Sequence, residues 1–412
     1  MPAAAAPVAQ TAALPNLTGT SLTVLQWQSF IPGADDFFRK QIEEGFMKET
    51  GARVVIEFVN ADDLQPKIAA AIQSGAGPDI VQFQYGWQHI YKDAVVDVTD
   101  IVAELKRSTG DFYPQIEAAC NVGGRYLGVP HDLVGLVYHW RRSWFAEAGA
   151  DRFPATYAEL HAVGARLKEN GRPLGQALSN TFGDPPTWCY PMLWAYGGRE
   201  VDEQGKVAIN SPETIAAVRE MADAWRPAYD ETGLGWDGSS NNRAFLAETI
   251  SGTLNGASIW WVARKDSAPF FEDIGLDLLP AGPKAKTAFA INNNYAIMKY
   301  TGAADAAKAF IRWSMSDPVW MPWFEFCGSY YNGVGPVQDT RAPWEKFPRE
   351  VQVFKELGPI TRAPGWPGPW SQQAAVAQAK SIIVSMFAKA VQGDAPETAV
   401  AWAEGELKQI YT

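Results

Sequence analysis

The chain has 412 residues, 47% of them hydrophobic, and its 35 Lys+Arg against 46 Asp+Glu give a formal net charge of -11. That length exceeds the roughly 250 to 300 residues at which a single core stops growing, so at least two lobes are expected. The negative balance repels phosphate backbones and anionic lipid surfaces and argues against a nucleic-acid partner. Cys120, Cys189 and Cys327 are odd in number and widely spaced, and the four histidines show no H-E-x-x-H pattern. Neither a disulfide framework nor a metal or other cofactor site is signalled.

The first segment, "MPAAAAPVAQTAALPNLTG", is Ala-rich and is similar to the tail of a secretory signal peptide, while a disordered cytosolic leader has the same composition. No apolar run of 18 residues occurs, so no membrane span is expected. Then "SLTVLQW" (21–27) reads as a strand. "ADDFFRKQIEEGFMKETG" places Phe38, Ile42 and Phe46 four apart, with acids first and Gly51 as terminator, which makes an amphipathic helix. "RVVIEFV" (53–59) is a β-branched strand. Asp62 or Asp63 is the expected cap of a helix carrying Leu64, Ile68 and Ile72, which "SGAGP" breaks before the strand "DIVQF". This β-α-β-α-β order implies a parallel sheet, with ligands taken outside the carboxyl ends of its strands. Those ends are Gln26–Ser29, 60–63, and the aromatic cluster Tyr85, Gly86 and Trp87.

Further along, "LVGLVYHW" (133–140) is a strand. Thr156 and Glu159 form a capping box for the next helix, and Ser211 with Pro212 opens another. "TLNGASIWW" reads as a strand ending on Trp260 and Trp261, and "AFAINNNYAIMKY" (288–300) as a strand before a mostly helical C-terminal part.

The succession "FMKETG", "DDLQPKIAAAIQSGAGPDIV", "YLGVP", "LVYHWRRSWFAEAGA", "FPATYAELHAVGARL", "FLAETISGTLNG" and "LLPAGPK" resembles bacterial extracellular solute-binding proteins of ABC importers, in the carbohydrate-binding class that includes maltose-binding protein. The resemblance implies an α/β, two-lobed periplasmic-binding-protein fold (type II), each lobe a mostly parallel sheet flanked by helices and joined by a hinge. It implies a leader at 1–19, one lobe from 20–131 plus 288–337, the other from 135–286 plus 341–412, and crossings near 131–135, 286–290 and 336–342. It also implies a periplasmic monomer that captures a mono- or oligosaccharide in an aromatic cleft by hinge closure and presents it to the importer's membrane permease, with no catalysis. The run "LVYHWRR" and the amide triplet of "INNNYAI" depart from the relatives' usual patterns at positions near the ligand, which bears on ligand identity.

The candidate ligand-binding residues fall at these strand ends and crossings. Trp27, Gln28 and Ser29 close the first strand; the alternative there is an ordinary loop. Asp63 grips a hydroxyl pair or caps its helix. Tyr85, Gly86 and Trp87 offer broad aromatic faces with a polar handle, or Trp87 packs beneath the following segment. His131 and Asp132 follow "GVP" at the first crossing, where the acid accepts ligand hydroxyls or loop amides. Asn292, Asn293 and Asn294 carry donors and acceptors that poorly suit a pure strand. The resemblance places a sugar-stacking aromatic at Trp260 or Trp261. Trp188, Tyr330, Tyr331, Arg362 and Trp366, with Trp370, sit in aromatic-polar loops that pack or bind. A glycoside hydrolase needs two carboxylates flanking the bond, and no spacing identifies such a pair. A polyol, a glycerol-phosphate-type ligand or a sulfonated sugar is the alternative cargo, with Arg142, Arg264 or Arg362 as the anion contact.

Overall fold

The computed structural model describes residues 13–328, 330–341 and 344–412. Most of the Ala-rich leader, residues 1–12, and position 342 of the third expected crossing lie outside the described residues. The described residues form two compact units, one within 13–133 and 292–347 and the other of 134–291 and 348–412.

The strands that carry the argument are β1 (Ser21–Trp27), β2 (Arg53–Val59), β3 (Ile80–Gln84), β4 (Val129–Val134), β5 (Val137–Arg141), β6 (Gly252–Asn255), β7 (Ile274–Asp277) and β8 (Ile291–Ile297). In the first unit the sheet order is β2-β1-β3-β8-β4. β1 runs parallel to β2 and β3, and β8 returns antiparallel to β3, with Asn293 opposite Gln84 and Tyr295 opposite Gln82.

The helix after β1 begins at Ala34–Gln41, widens to a π-helical turn over Ile42–Met47 and stops at Gly51, whose φ of 75° suits glycine. Its apolar stripe puts Phe46 edge-on to Phe310 at 5.3 Å and near Trp313 at 5.6 Å. In the helix Ala61–Ser74, Asp62 and Asp63 lie inside the first turn, and the N-cap residue Asn60 makes no side-chain cap bond. The capping expected of these acids is therefore corrected: they complement the helix dipole from N2 and N3.

In the second unit β5 pairs antiparallel with both β6 and β7. The mostly parallel sheet expected of both lobes thus holds only for β1–β3. More than a hundred residues separate β5 from β6, so no single crossover helix dictates a parallel return. The stretch expected as one strand at 133–140 is divided between the end of β4 and the start of β5. The capping box of Thr156 and Glu159 forms as read, and Ser211 accepts the Thr214 N–H. The stretch Gln372–Val391 is long and apolar enough to cross a bilayer, which the absence of an 18-residue apolar run does not anticipate. Most of it is buried in the unit, where Ile382–Val391 packs on Pro212–Ala228 and Pro396–Ile410, and that packing accounts for its apolar character.

Phe46 is fully buried between the π-helical turn and the helix Ala304–Ser314. Phe46→Ala is expected to lower stability by about 4 kcal/mol through lost burial and an unfilled cavity. A urea titration checks this, with the midpoint falling and the slope unchanged.

Candidate functional site

β3 is apolar on one face and carries Gln82 and Gln84 on the other, because alternate side chains point oppositely. Both glutamines are buried. Gln82 Oε1 accepts the Trp27 N–H at 3.0 Å, and Gln84 Nε2 donates to Asn293 Oδ1 across the β3–β8 pair at 3.3 Å. Asn293 Nδ2 donates to Asp132 Oδ1 at 2.7 Å, and Asp132 Oδ2 lies 2.5 Å from His131 Nδ1. The Trp320 indole donates to the His131 carbonyl at 3.1 Å, and Tyr295 and Trp323 flank the imidazole at 4.8 and 5.2 Å.

β3 ends at Gln84, and the next residue, Tyr85, has φ 53°, a left-handed conformation that a bulky residue rarely adopts. Asn292 holds it from both sides: the Tyr85 N–H donates to the Asn292 carbonyl at 2.8 Å, and Asn292 Nδ2 donates to the Tyr85 carbonyl at 3.1 Å. Gly86 then leads into the short helix Trp87–Ile90, with Trp87 buried edge-on against Phe83. Gln88 donates to Asn294.

A second group lies at the end of β1. The Ser29 N–H donates to Asp35 Oδ1 at 3.0 Å, and Tyr331 Oη donates to Ser29 Oγ at 2.8 Å. Tyr331 stacks on Trp323 at 4.2 Å and meets Tyr330 edge-on, and Tyr330 lies 6.4 Å from Trp27. Trp323 touches both His131 and Tyr331, so the two groups are continuous. Burial pushes the Asp35 carboxyl up to about 6, against the opposing Ser29 N–H and Arg39. Gln28 is exposed, its N–H bonded to the Val59 carbonyl, and Asp63 is exposed on its helix, apart from both groups.

Among the described residues, Gln84 Oε1, Gln88 Oε1, Asn292 Oδ1, Asn294 Nδ2 and both side-chain polar atoms of Asn332 are buried without a protein hydrogen-bond partner. Such atoms call for water or a ligand. A groove of about 1190 Å3 in the same unit lies elsewhere, against the π-helical turn, and its Asp100, Glu104, Lys308 and Arg312 pair among themselves.

In the second unit, Trp188 is not in a loop. It is inside the helix Asp184–Tyr196, wholly buried among Tyr138, Tyr157 and Tyr229. Trp260 and Trp261 sit on the helix Ser258–Lys265 and not on a strand, since β6 stops at Asn255. Their separation is therefore about 100° around a helix axis rather than two sheet faces. Trp260 is buried on Phe271; Trp261 is half-buried, and Arg264 lies over both rings. The Arg362 guanidinium stacks on Trp366 at 3.7 Å.

Sequence reasoning missed Gln84, Gln88, Asp35 and Trp323, and in the second unit a polar nest. There Asn242 Nδ2 donates to Ser258 Oγ, Ser258 Oγ to Asn255 Oδ1, and Asn255 to Asn242. Beside Asn241, the Asp184 carboxyl is buried with Oδ2 unpartnered. Burial pushes it well above the usual carboxylate range, which Asn241 opposes and Asp237 reinforces. The run "SNN" at 240–242 and the N-G-A-S of 255–258 were the available signals.

Residues 32–319 match the family model described as bacterial extracellular solute-binding protein, which covers more than half of the chain. The chain belongs to that family, and is thus a solute-binding receptor and not an enzyme. A probable ABC transporter-binding protein of Deinococcus radiodurans is 22% identical over 253 residues, 57% of each chain, so the match spans little more than half of that relative. Two solved structures are similar in fold. One is an ABC transporter solute-binding protein of Thermotoga lettingae bound with α-D-tagatose, with TM-score 0.81, 17% identity, and coverage of 96% of this chain and 100% of that one. The other is the maltose-bound MalE3 of T. maritima, with TM-score 0.80, 19% identity, and coverage of 95% and 100%.

Each Asp132 oxygen has its own partner, and the residue is fully buried. Asp132→Ala strands His131 and Asn293 and is expected to cost about 3 kcal/mol. Asp132→Asn keeps an acceptor for Asn293 and is expected to cost about 1 kcal/mol. Equal costs in chemical denaturation would show that the acceptor retained for Asn293 contributes nothing.

Proposed function

We propose that the chain is the periplasmic, monomeric substrate-binding receptor of an ABC importer, and that its cargo is a neutral carbohydrate. Capture by hinge closure and delivery to a membrane permease come with this reading from the family. The observation that carries it is the set of buried, unpartnered amide atoms at Gln84, Gln88, Asn292, Asn294 and Asn332. An amide offers donors and acceptors without net charge, which suits hydroxyl groups that both give and accept hydrogen bonds. Trp27, Tyr85, Trp87, Tyr330 and Tyr331 supply aromatic surface beside these amides, and Ser29 and Gln28 supply polar groups at the end of β1. His131 and Asp132 are proposed to hold Asn293 in place for the ligand. Trp261 and the Arg362–Trp366 pair are the proposed contacts of the second unit, with Trp260 as support. Asp63 and Trp188 stand apart from these groupings and have the least support as contacts. Sugars in the two solved neighbours agree with a carbohydrate cargo.

An anionic sugar is the second reading. It is favoured by Arg362, for which no acidic partner is found among the described residues. A guanidinium so placed suits a phosphate or sulfonate.

A thermal-shift screen across neutral saccharides, polyols and sugar phosphates separates the readings, because binding raises the melting midpoint by mass action. Neutral saccharides are expected to score and sugar phosphates not. For the scoring sugar, Trp87→Ala and Asn294→Ala are each expected to weaken binding about tenfold or more by titration calorimetry. Turnover of a glycoside, with no binding of any compound, would sink the receptor reading.

A further inference from the structure

The loop that carries Arg362 and Trp366 rests on residues 200–202. A Cβ on Gly368 would lie 2.7 Å from the Asp202 carbonyl oxygen, so only glycine permits this approach. The loop is then clasped by one carboxyl. Glu200 has no solvent exposure; its Oε2 accepts the Gly365 N–H at 2.9 Å, and its Oε1 accepts the Tyr190 hydroxyl at 3.3 Å. The groups facing it are Tyr190, with Cys189 behind it, on the helix Asp184–Tyr196, Tyr411 from the C-terminal end, and the Gly365 amide of the loop itself. Among the described residues no Lys, Arg or His pairs with it. A buried carboxylate with one long hydroxyl bond and one amide is poorly compensated, whereas a neutral carboxyl is satisfied by the same two groups when its own proton lies on Oε1 and is donated to the Tyr190 hydroxyl oxygen.

We propose that Glu200 is a proton-operated positioning residue: neutral, it anchors the 362–370 loop through Gly365; ionised, it draws in water and releases that loop. This rests on the reading that Arg362 and Trp366 touch the cargo, and it adds regulation by pH to that site. Burial pushes the Glu200 carboxyl up to about 7 from its ordinary 4.5, against the Gly365 N–H and Tyr190 bonds. The sign follows from proton linkage. Between 4.5 and about 7 the folded chain holds a proton that the unfolded chain has lost, so stability falls as pH rises through this window and levels off above it. A bound state that requires the anchored loop takes up a proton above about 7, so affinity also falls there.

The test is amide hydrogen exchange on the ligand-free protein, with rates for peptides spanning 362–370 divided by unstructured-chain rates at each pH. Wild type is expected to lose protection about tenfold between roughly pH 6 and 8.5, and Glu200→Gln, which keeps an acceptor but cannot ionise, is expected to show a flat profile. Unchanged wild-type protection, or a Gln variant that keeps the slope, overturns the anchor. Maltose and tagatose are then titrated over the same range. A sugar that binds with the same Kd at both ends, while exchange changes, overturns the coupling to the cargo and leaves the receptor reading standing. Failure of both sugars and of the wider screen removes the carbohydrate reading, and with it the coupling, while exchange still decides the anchor.

Discussion

The strand-end face of the first unit depends on one buried carboxyl. Asp132 gives one oxygen to Asn293 and the other to His131, which fixes an amide in the middle of β8. Fixing Asn293 opposite Gln84 also sets the register of β8 on β3. A one-residue slip would turn the whole amide set to the other face. It would also take Asn292 away from Tyr85, whose backbone it bonds twice.

That double bond matters because Tyr85 is strained. Left-handed backbone at a residue with a large side chain costs on the order of 1 kcal/mol or more and persists only where neighbours over-determine it. Here Asn292 restrains both peptide groups, and the ring is buried. The strain ends β3 abruptly, so Trp87 begins a helix beside the amides rather than extending the sheet. Glycine, the residue a reader of "QYGW" expects to take the unusual conformation, has an ordinary φ of -112° at Gly86.

This contrast shows what the sequence could and could not convey. Signals that act within a few residues were readable: Thr156 with Glu159, Ser211, Gly51 and the apolar stripe through Phe46 all do locally what their spacing implies. The aromatic and amide residues at the ends of β1, β3 and β8 were also picked out. Their partners were not, because Gln84 meets Asn293 across 209 positions and Ser29 meets Tyr331 across 302. Trp260 and Trp261 were assigned to a strand since apolar runs of this length suit either state; the turn after Asn255 decides for a helix. Asp35 was absorbed into the reading of a helix's acidic first turn, although its oxygen is taken by Ser29.

Two kinds of buried acid follow from the same rule. Asp132 has a close partner for each oxygen and behaves as a fixed strut of its sheet. Asp184 has an oxygen with no partner, and Glu200 has only an amide and a long hydroxyl bond, so burial holds both above the usual carboxylate range. Where donors are sufficient, a carboxyl locks geometry; where they are too few, the proton supplies what the protein lacks, and geometry becomes sensitive to pH. The first unit holds Asp132 in the former way, bonded to the amide of Asn293, and Asp35 in the latter. The second keeps the latter beneath a loop, at Glu200, and at the start of a helix, at Asp184.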